Sequence, residues 1–371
     1  MSFHIITDFS RMEGAQVMLA RLLRQGLDPD PVVVSLRGVS DDARKRAGGH
    51  DIRYYPLGMT GLSRVPNGLW TLARILRRER PEAILCWMYH AALLGLLAGF
   101  LFGPRPRVYW TIRQSLDDPQ AFGRTLRLTV RAASVFSRFC DGIIYNSRRA
   151  LVQHGKAGFH NDIAVVIPNG IEMPAHPNHK ARVPRVFGIA ARHHAQKDHP
   201  TFLRAAARLL GRVPDAKFVA AGHGMTCENQ ELAQQIRAAD LDPQSIELLG
   251  PLTDMDPFYR AIDVLVLSSR TEGFPNVVAE AMSYGIPVVT TNVGDAATIV
   301  GNTGEAVPPG DDRAVAEAMA RMCGFEPAAY AELSRRAARQ IRENYELAAI
   351  AARYQSVLDA DRLETPVWHR C

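Results

Sequence analysis

"TEGFPNVVAEAMSYGIPVVTT" spans residues 271–291 and decides the fold prediction for the chain. A short apolar run, "VLVLSS" (264–269), precedes it, and a second apolar run, "PVVTT" (287–291), closes it. The segment between them has the features of a helix, because Pro275 suits a first helical position and Gly285 suits the position after the last turn. The pattern predicts strand, helix and strand, which is the repeating unit of a parallel sheet.

The same alternation of short apolar strands and amphipathic helices continues on both sides of this stretch. Before it, the pattern predicts strands at 3–9, 31–36, 51–57, 83–88, 107–112, 142–146 and 163–167. The predicted helices of this half lie at about 14–26, 67–79, 90–102, 121–139 and 147–156. From residue 185, the pattern predicts six more strands, at RVFGIAA, AKFVAAG, IELLG, VLVLSS, PVVTT and EAVPP. We therefore expect an α/β fold with two doubly wound domains.

The segment "PNGIEMPAHPNHKARVP" (168–184) separates the two halves, with four prolines in 17 residues and no hydrophobic period. It predicts a linker, with a first domain at 1–178 and a second at 184–349. The last helical stretch, about 327–361, has an expected break near 345. We expect the helix at about 350–371 to pack back on the first domain.

The composition is that of an ordinary globular protein, with 371 residues, 47% hydrophobic and 22% charged. Five cysteines without pairing or zinc spacing predict a reducing compartment, and the N-terminus lacks the features of a signal peptide. We therefore expect a cytoplasmic protein. Residues 83–104 contain no charged side chain, and we interpret them as a buried strand and a buried helix rather than a transmembrane span.

Charge is unevenly distributed along the chain. Residues 1–180 carry 24 Lys and Arg against 14 Asp and Glu, whereas residues 181–371 carry 20 against 24. The basic half predicts an anionic partner, either a membrane surface or a phosphate-bearing substrate. No basic run is interleaved with aromatic residues, so nucleic acid is not the expected partner.

Two carboxylates flank the start of the helix in the opening stretch. Ligands of open α/β sheets bind at the carboxyl ends of the strands, where Glu272 follows its strand. The helix N-terminus at Asn276 favours an anion such as phosphate, and Glu280 lies one turn further on. Carboxylates accept hydrogen bonds from hydroxyl pairs, so the arrangement fits a sugar nucleotide. The alternative is a loop acid and a solvated helix residue.

The stretch resembles the E-x7-E signature of family 4 retaining glycosyltransferases. "GIAARHHAQKDHPTFLRAAARLL", "VVIPNGIE" and "TTNVGDAATIVGNTGEAVPPGD" resemble further segments of that family. The resemblance implies the GT-B fold, two Rossmann-like domains facing a central cleft. It also implies a UDP- or GDP-linked nucleotide-sugar donor in the second domain and a glycan or lipid-linked saccharide acceptor in the first. No metal and no further cofactor are implied.

The resemblance also assigns roles to particular residues. Glu272 matches the glutamate that contacts the donor sugar, and Glu280 matches the one that holds the ribose. Arg192 and Lys197 match the basic pair that neutralises the diphosphate as the glycosidic bond breaks. The donor-binding set is Gly14, Arg192, Lys197, Glu272, Gly273, Phe274, Pro275, Asn276 and Glu280. The catalytic set is His90, Arg192, Lys197 and Glu272.

Two of these assignments lie in the first half of the chain. Gly14 resembles part of a glycine-rich loop beside the phosphates, although Glu13 and Gln16 depart from the usual residues there. His90 follows a strand and resembles a histidine close to the reacting sugar; by itself it would be a structural histidine. His193, His194 and His199 lie near Lys197, but their spacing does not predict a metal site.

The helix at 121–139 carries an arginine stripe. At 100° per residue, Arg124, Arg127, Arg131 and Arg138 fall within about 60° of one another. We predict that they form, with Arg105, Arg107 and Arg113, an acceptor-side surface for an anionic membrane; the alternative is an ordinary solvated helix face. The residues expected to face the sheet are Phe122, Leu126, Val130, Ala133 and Phe136.

Two other functions remain open at this point. A sugar-nucleotide epimerase can use the same scaffold, and a non-catalytic protein can bind a sugar nucleotide without transferring the sugar. The sequence predicts a retaining, metal-independent hexosyltransferase of cell-surface polysaccharide or glycolipid synthesis, cytoplasmic or peripheral on the inner face of the membrane.

Overall fold

The computed structural model describes residues 2–28, 30–48, 51–101, 105–117, 123–177 and 180–359. The chain divides into two compact units. Unit 1 comprises Met1–Gly170 and Leu347–Cys371, and unit 2 comprises Ile171–Glu346. Each unit contains one parallel sheet with helices on both faces, so the predicted doubly wound architecture is confirmed.

Unit 1 contains a seven-stranded sheet in the order β3-β2-β1-β4-β5-β6-β7. Its strands are β1 (Ser2–Ile6), β2 (Val32–Ser35), β3 (Arg53–Pro56), β4 (Ala83–Trp87), β5 (Arg107–Ile112), β6 (Gly142–Tyr145) and β7 (Ala164–Val166). Its helices are α1 (Gly14–Arg24), α2 (Asp41–Arg46), α3 (Val65–Glu79), α4 (Met88–Leu101), α5 (Arg124–Phe136), α6 (Arg148–Lys156) and α14 (Leu347–Asp359). Short 3-10 turns occupy Leu62–Arg64 and Ser137–Phe139.

The sheet of unit 1 is buried on both faces, because successive side chains of each strand point to opposite sides. On β4, Ile84 and Cys86 pack against the layer formed by α3, α4, α5 and α6. Leu85 and Trp87 of the same strand pack on the other side, against α1, α2 and α14. The two helical layers are thus separate surfaces of unit 1.

Unit 2 contains a six-stranded sheet in the order β10-β9-β8-β11-β12-β13. Its strands are β8 (Val186–Ala190), β9 (Lys217–Ala221), β10 (Ile246–Gly250), β11 (Val264–Leu267), β12 (Val288–Thr291) and β13 (Glu305–Val307). Its helices are α7 (His199–Leu210), α8 (Gln230–Ala238), α9 (Asp256–Ala261), α10 (Asn276–Ser283), α11 (Ala296–Val300), α12 (Asp312–Cys323) and α13 (Pro327–Tyr345). Short 3-10 turns occupy Ala195–Lys197 and Pro243–Ser245.

Most predicted elements are present close to their expected limits. The last helical stretch breaks at Glu346, between α13 and α14, next to the expected position. The helix α2 was not predicted, because it has six residues of which five are charged and one, Ala43, is buried. The units divide after Gly170, inside the predicted linker, and the positions 178–179 and 360–371 of the predicted boundaries lie outside the described residues.

The apolar segment at 83–104 contains β4 and α4, as predicted. Among the described residues, no helix is both long enough and apolar enough to cross a bilayer.

Candidate functional site

Glu272 lies on the loop from β11 to α10, at the carboxyl edge of the sheet of unit 2. Its Oε1 accepts hydrogen bonds from Lys197 Nζ at 2.5 Å and from Ser269 Oγ at 2.6 Å. The Ser269 carbonyl in turn accepts from Thr291 Oγ1 at 2.7 Å. The side chain of Glu272 is largely buried, so these contacts fix its carboxylate in one place.

Lys197 ends the 3-10 turn that follows β8, and this turn is fastened to the Glu272 loop. The hydroxyl of Ser268 donates to the Lys197 carbonyl at 2.9 Å. Arg270 donates its backbone N–H to Gln196 at 2.8 Å, and its guanidinium pairs with Asp198 at 3.0 Å. The two loops therefore form one hydrogen-bonded assembly, with the ammonium of Lys197 and the carboxylate of Glu272 at its centre.

Arg192 precedes this turn at the same edge of the sheet, and it is exposed. Its carbonyl oxygen contacts Nε2 of the buried His199 at 3.0 Å, and since a carbonyl only accepts, Nε2 carries the proton. Burial lowers the pKa of His199 to about 4, so this imidazole is neutral at neutral pH. His199 therefore shapes the backbone that presents Arg192.

His193 and His194 also lie on this segment. The ring of His193 stacks on that of His199 at 5.5 Å and contacts Gln235 at 3.1 Å, and His194 caps the turn through the Gln196 N–H. Across the described ranges, no group of three or more His, Cys, Asp or Glu side chains is placed to hold a metal ion.

Glu280 lies on α10, which begins at Asn276 with Pro275 as its N-cap residue. Its Oε2 accepts a hydrogen bond from the hydroxyl of the buried Tyr259 at 2.9 Å. Tyr259 was not found by the sequence analysis, since it is 21 positions away on α9 and belongs to no motif. It orients the carboxylate that the resemblance assigns to the ribose.

Phe274 was predicted in the donor-binding set, and the structure limits how it can act. Its side chain is buried in the core of unit 2, with its ring edge-on to Tyr345 at 5.5 Å. Only its backbone can therefore face a ligand. The neighbouring Gly273 carbonyl accepts from Asp295 N at 3.1 Å, which ties this loop to the one after β12.

Gly14 and His90 belong to unit 1, and both lie at the start of helices that follow strands of its sheet. Gly14 starts α1 and is exposed, and a Cβ added there would have no heavy atom within 4 Å. His90 lies in the first turn of α4, with Nε2 at 3.4 Å from Thr129 Oγ1. Desolvation and the positive charge of Arg37 lower the pKa of His90, which favours the neutral imidazole.

Arg113 is not part of an exposed basic surface, contrary to the prediction. Its guanidinium donates to Tyr354 Oη at 2.6 Å and to Asn169 Oδ1, and it lies over the Trp87 ring at 5.5 Å. The residue is 9% exposed. Trp87 and Tyr354 pack on the α14 side of the sheet, so Arg113 fastens α14 to the sheet, on the opposite side from α5.

The arginines of α5 are exposed, as predicted for Arg124, Arg127 and Arg131, and so is Arg138 in the turn that follows. Val130 and Ala133 are buried against the sheet and Leu126 is half-buried, as predicted, whereas Phe122 lies outside the described residues. The prediction for Phe136 is wrong. It is 47% exposed, because it is the last residue of α5 and lies beyond the part of the helix that covers the sheet.

Two family models match the chain. The one described as Glycosyltransferase Family 4 matches residues 13–173, and the one described as Glycosyl transferases group 1 matches residues 184–324. The matches cover most of unit 1 and most of unit 2, and the second includes Arg192, Lys197, Glu272 and Glu280.

Two curated relatives are bacterial enzymes. The chain is 30% identical over 246 residues to the lipopolysaccharide core biosynthesis mannosyltransferase LpcC of Rhizobium leguminosarum bv. viciae, over 61% of this chain and 67% of that protein. It is 31% identical over 184 residues to the lipopolysaccharide core biosynthesis mannosyltransferase LpsB of Rhizobium meliloti. That second match covers 47% of this chain and only about half, 52%, of the relative.

Among solved structures, Anabaena Alr3699/HepE in complex with UDP and glucose superposes with a TM-score of 0.80. The superposition covers 96% of this chain and 99% of that chain, at 19% sequence identity. This likeness shows the shared fold.

Proposed function

The chain belongs to glycosyltransferase family 4, and from that premise we propose that it transfers a hexose, with retention of configuration, from a nucleotide sugar to a saccharide acceptor. One observation carries the donor side of the proposal, the pairing of Lys197 with Glu272 at the edge of the sheet of unit 2. A nucleotide sugar needs a cation for its diphosphate and an acceptor for its sugar hydroxyls. In this pair the cation, the Lys197 ammonium, and the hydrogen-bond acceptor, the Glu272 carboxylate, lie side by side.

The donor contacts follow from the chemistry of each group. Arg192 and Lys197 neutralise the diphosphate, and the N-terminus of α10 adds the positive end of a helix dipole. Glu272 accepts hydrogen bonds from the sugar hydroxyls, and Glu280, oriented by Tyr259, accepts them from the ribose. UDP- and GDP-linked donors both meet these requirements.

The reaction proposed here needs no metal ion. Negative charge develops on the departing diphosphate, and preorganised cations stabilise that charge in the transition state. For unit 1, the proposal gives His90, whose pKa is lowered, a role in positioning a reacting sugar, and gives Gly14 a role in letting a phosphate approach the start of α1. The diphosphate itself takes the proton of the acceptor hydroxyl, so no carboxylate nucleophile is invoked.

The proposed acceptor is a glycan or lipid-linked saccharide of cell-surface polysaccharide or glycolipid synthesis, reached by peripheral docking at the inner face of the membrane. Support comes from the lipopolysaccharide-core assignments of LpcC and LpsB and from the exposed arginines of α5. Nucleic acid is not a proposed partner.

A panel of UDP- and GDP-sugars, first in thermal shift and then in turnover assays with excess EDTA, tests the proposal. We expect one donor class to stabilise the protein and to be transferred in the presence of EDTA. Lys197→Met should lower turnover by roughly 10²–10³-fold, the range for losing one contact to a developing charge. Arg208→Met, an exposed cation of α7 away from this loop, is the matched control.

Three results would contradict the proposal. Loss of all activity with EDTA and its recovery with Mg²⁺ or Mn²⁺ would reject the metal-independent mechanism. Epimerised donor formed without an acceptor would indicate an epimerase. Donor binding without turnover on any saccharide would indicate a non-catalytic binding protein.

A further inference from the structure

The exposed large hydrophobic side chains are concentrated on one surface of the molecule. Among the described residues, nine such side chains are strongly exposed, and all nine lie on the layer of α3 to α6 in unit 1. They are Trp70, Leu97, Phe100, Leu101, Leu128, Val135, Phe136, Phe139 and Val152. The described part of unit 2 has none, although it is of similar size. Scattered apolar residues need no explanation, but this clustering does.

Three of these side chains form a contiguous aromatic cluster. The ring of Phe139 lies 6.2 Å from that of Phe100 on α4 and 6.3 Å from that of Phe136 on α5. Each of the three is nearly half exposed. Arg105 holds the cluster together, since its guanidinium lies 4.5 Å from the centre of the Phe100 ring and donates to the Phe139 carbonyl at 2.7 Å.

The same layer is strongly basic. The four helices and the turn after α5 contain ten Lys and Arg and a single acidic residue, Glu79. The side chain of Glu79 is only 5% exposed and is paired with Arg53 and Arg78. Arg124, Arg127 and Arg131 are exposed on α5, and no carboxylate on that helix offsets them. The surface therefore combines exposed phenylalanine and leucine with an excess of positive charge.

The charge and the apolar side chains of the surface together indicate which partner binds it. A second copy of the chain would bring two basic layers together, and like charges repel. Nucleic acid would match the charge but offers no hydrocarbon for Leu97, Leu101 and Leu128. An anionic phospholipid bilayer matches both features, because its headgroups attract arginine and its interface takes up aromatic and aliphatic side chains.

We propose that the layer of α3 to α6 is a membrane-insertion surface, on which Phe100, Phe136 and Phe139 enter the interface of an anionic bilayer while the arginines of α5 bind its headgroups. This goes beyond electrostatic docking, because part of the affinity comes from apolar insertion. Only the reason for membrane binding, access to a lipid-linked acceptor, rests on the proposed function. The binding itself requires neither donor nor acceptor.

Vesicle sedimentation tests the proposal on the full chain, with vesicles of phosphatidylcholine alone and of phosphatidylcholine mixed with phosphatidylglycerol. We expect binding to the anionic vesicles only, weakened by salt. Replacing Arg124, Arg127 and Arg131 with Glu should lower binding by about 100-fold or more. The same change at Arg335, Arg339 and Arg342, exposed on α13 of unit 2, is the matched control and should leave binding unchanged.

The apolar contribution needs its own variants. Phe100→Ser, Phe136→Ser and Phe139→Ser together should lower binding on the order of tenfold or more, with all arginines kept. Since these rings also pack on one another, Leu128→Ser, at the most exposed of the nine side chains, is a milder second variant. In a Phe100→Trp variant, the fluorescence of the introduced indole should be quenched by lipids with brominated acyl chains.

Each outcome separates the docking surface from the proposed function. Absence of vesicle binding, or full binding by the phenylalanine variant, would overturn the insertion surface while donor transfer to a water-soluble acceptor could still stand. If the unmodified chain were a dimer and the phenylalanine variant a monomer, the layer would be a self-association surface instead. Vesicle binding without any sugar transfer would leave the surface intact and reject the proposed function.

Discussion

Glu272 and Lys197 illustrate how single residues are prepared for a task at the edge of the sheet. Each would be costly to bury alone, because a partly buried charge without a partner loses hydration that nothing replaces. Ser269 adds a second donor to the carboxylate, and the neighbouring Arg270 is paired with Asp198. The arrangement keeps one cation and one acceptor at fixed positions.

At this scale the two glutamates should be separable by experiment. We expect Glu280→Gln to weaken the binding of free UDP or GDP by about tenfold, since hydrogen bonds to a charged group contribute roughly 1.5–3 kcal/mol. Glu272→Gln should not weaken diphosphate binding, because it removes a negative charge beside Lys197. Both variants should lose turnover.

Isothermal titration calorimetry with the free diphosphates and steady-state assays with the donor measure the two effects. Tyr259→Phe serves as a control that keeps the Glu280 carboxylate but removes its orienting hydroxyl, and its effect on affinity should be smaller. Wild-type affinity and full turnover in both glutamate variants would show that the donor site is elsewhere.

At the scale of elements, the loop after β12 supports the Glu272 loop through a close backbone approach. Gly294 has a φ of +52°, and a Cβ there would lie 2.3 Å from the Gly273 carbonyl oxygen and 2.6 Å from that of Glu272. These atoms are backbone and cannot turn aside. A side chain at position 294 would therefore displace the segment that carries Glu272.

Gly294→Ala should accordingly reduce donor binding as well as stability. Gly310→Ala is the matched control, because Gly310 also has a positive φ, +80°, but has nothing within 4 Å of its Cβ position. We expect the control to cost about 1–2 kcal/mol of stability, the penalty of the left-handed conformation alone, with unchanged affinity for UDP or GDP. Urea titration and calorimetry measure the two quantities, and equal effects at both positions would refute this role for Gly294.

The elements themselves were largely predictable, because alternation of apolar strands with periodic helices is a local property of the sequence. Helix α2 lacked that signal, since it buries one small side chain. Phe136 obeyed the helical period but lies at the end of its helix, where no sheet remains to cover it. Glu272 was found from its position between a strand and a helix, and Lys197 through a resemblance, whereas Ser269 and Tyr259 act through contacts that no motif encodes.

At the scale of the whole molecule, the chain returns to unit 1 after completing unit 2, and Arg113 binds the returning helix α14 through Tyr354. Its partner Tyr354 is 241 positions away, a separation over which the sequence offers no pairing signal. Within the described part of the chain, the guanidinium of Arg113 contacts neutral groups, which are the Tyr354 hydroxyl, the Asn169 side-chain oxygen and the Trp87 ring. A buried cation held by neutral groups depends strongly on each of its hydrogen bonds.

Tyr354→Phe removes the hydroxyl that accepts from Arg113 and keeps the rest of the ring, so it tests how firmly α14 is fastened. We expect unit 1 to lose roughly 1–3 kcal/mol, the cost of leaving a buried donor unsatisfied. Trp70, Trp87 and Trp110 lie in unit 1, and the sequence has no tryptophan between Ile171 and Glu346, the range of unit 2, so tryptophan fluorescence during urea unfolding does not report unit 2. Tyr330→Phe is the matched control, since Tyr330 is equally buried and donates its hydroxyl to the Asp263 carbonyl in unit 2. The tryptophan transition should shift to lower urea for Tyr354→Phe and stay in place for Tyr330→Phe; an unshifted transition for the first variant would mean that apolar packing alone holds α14.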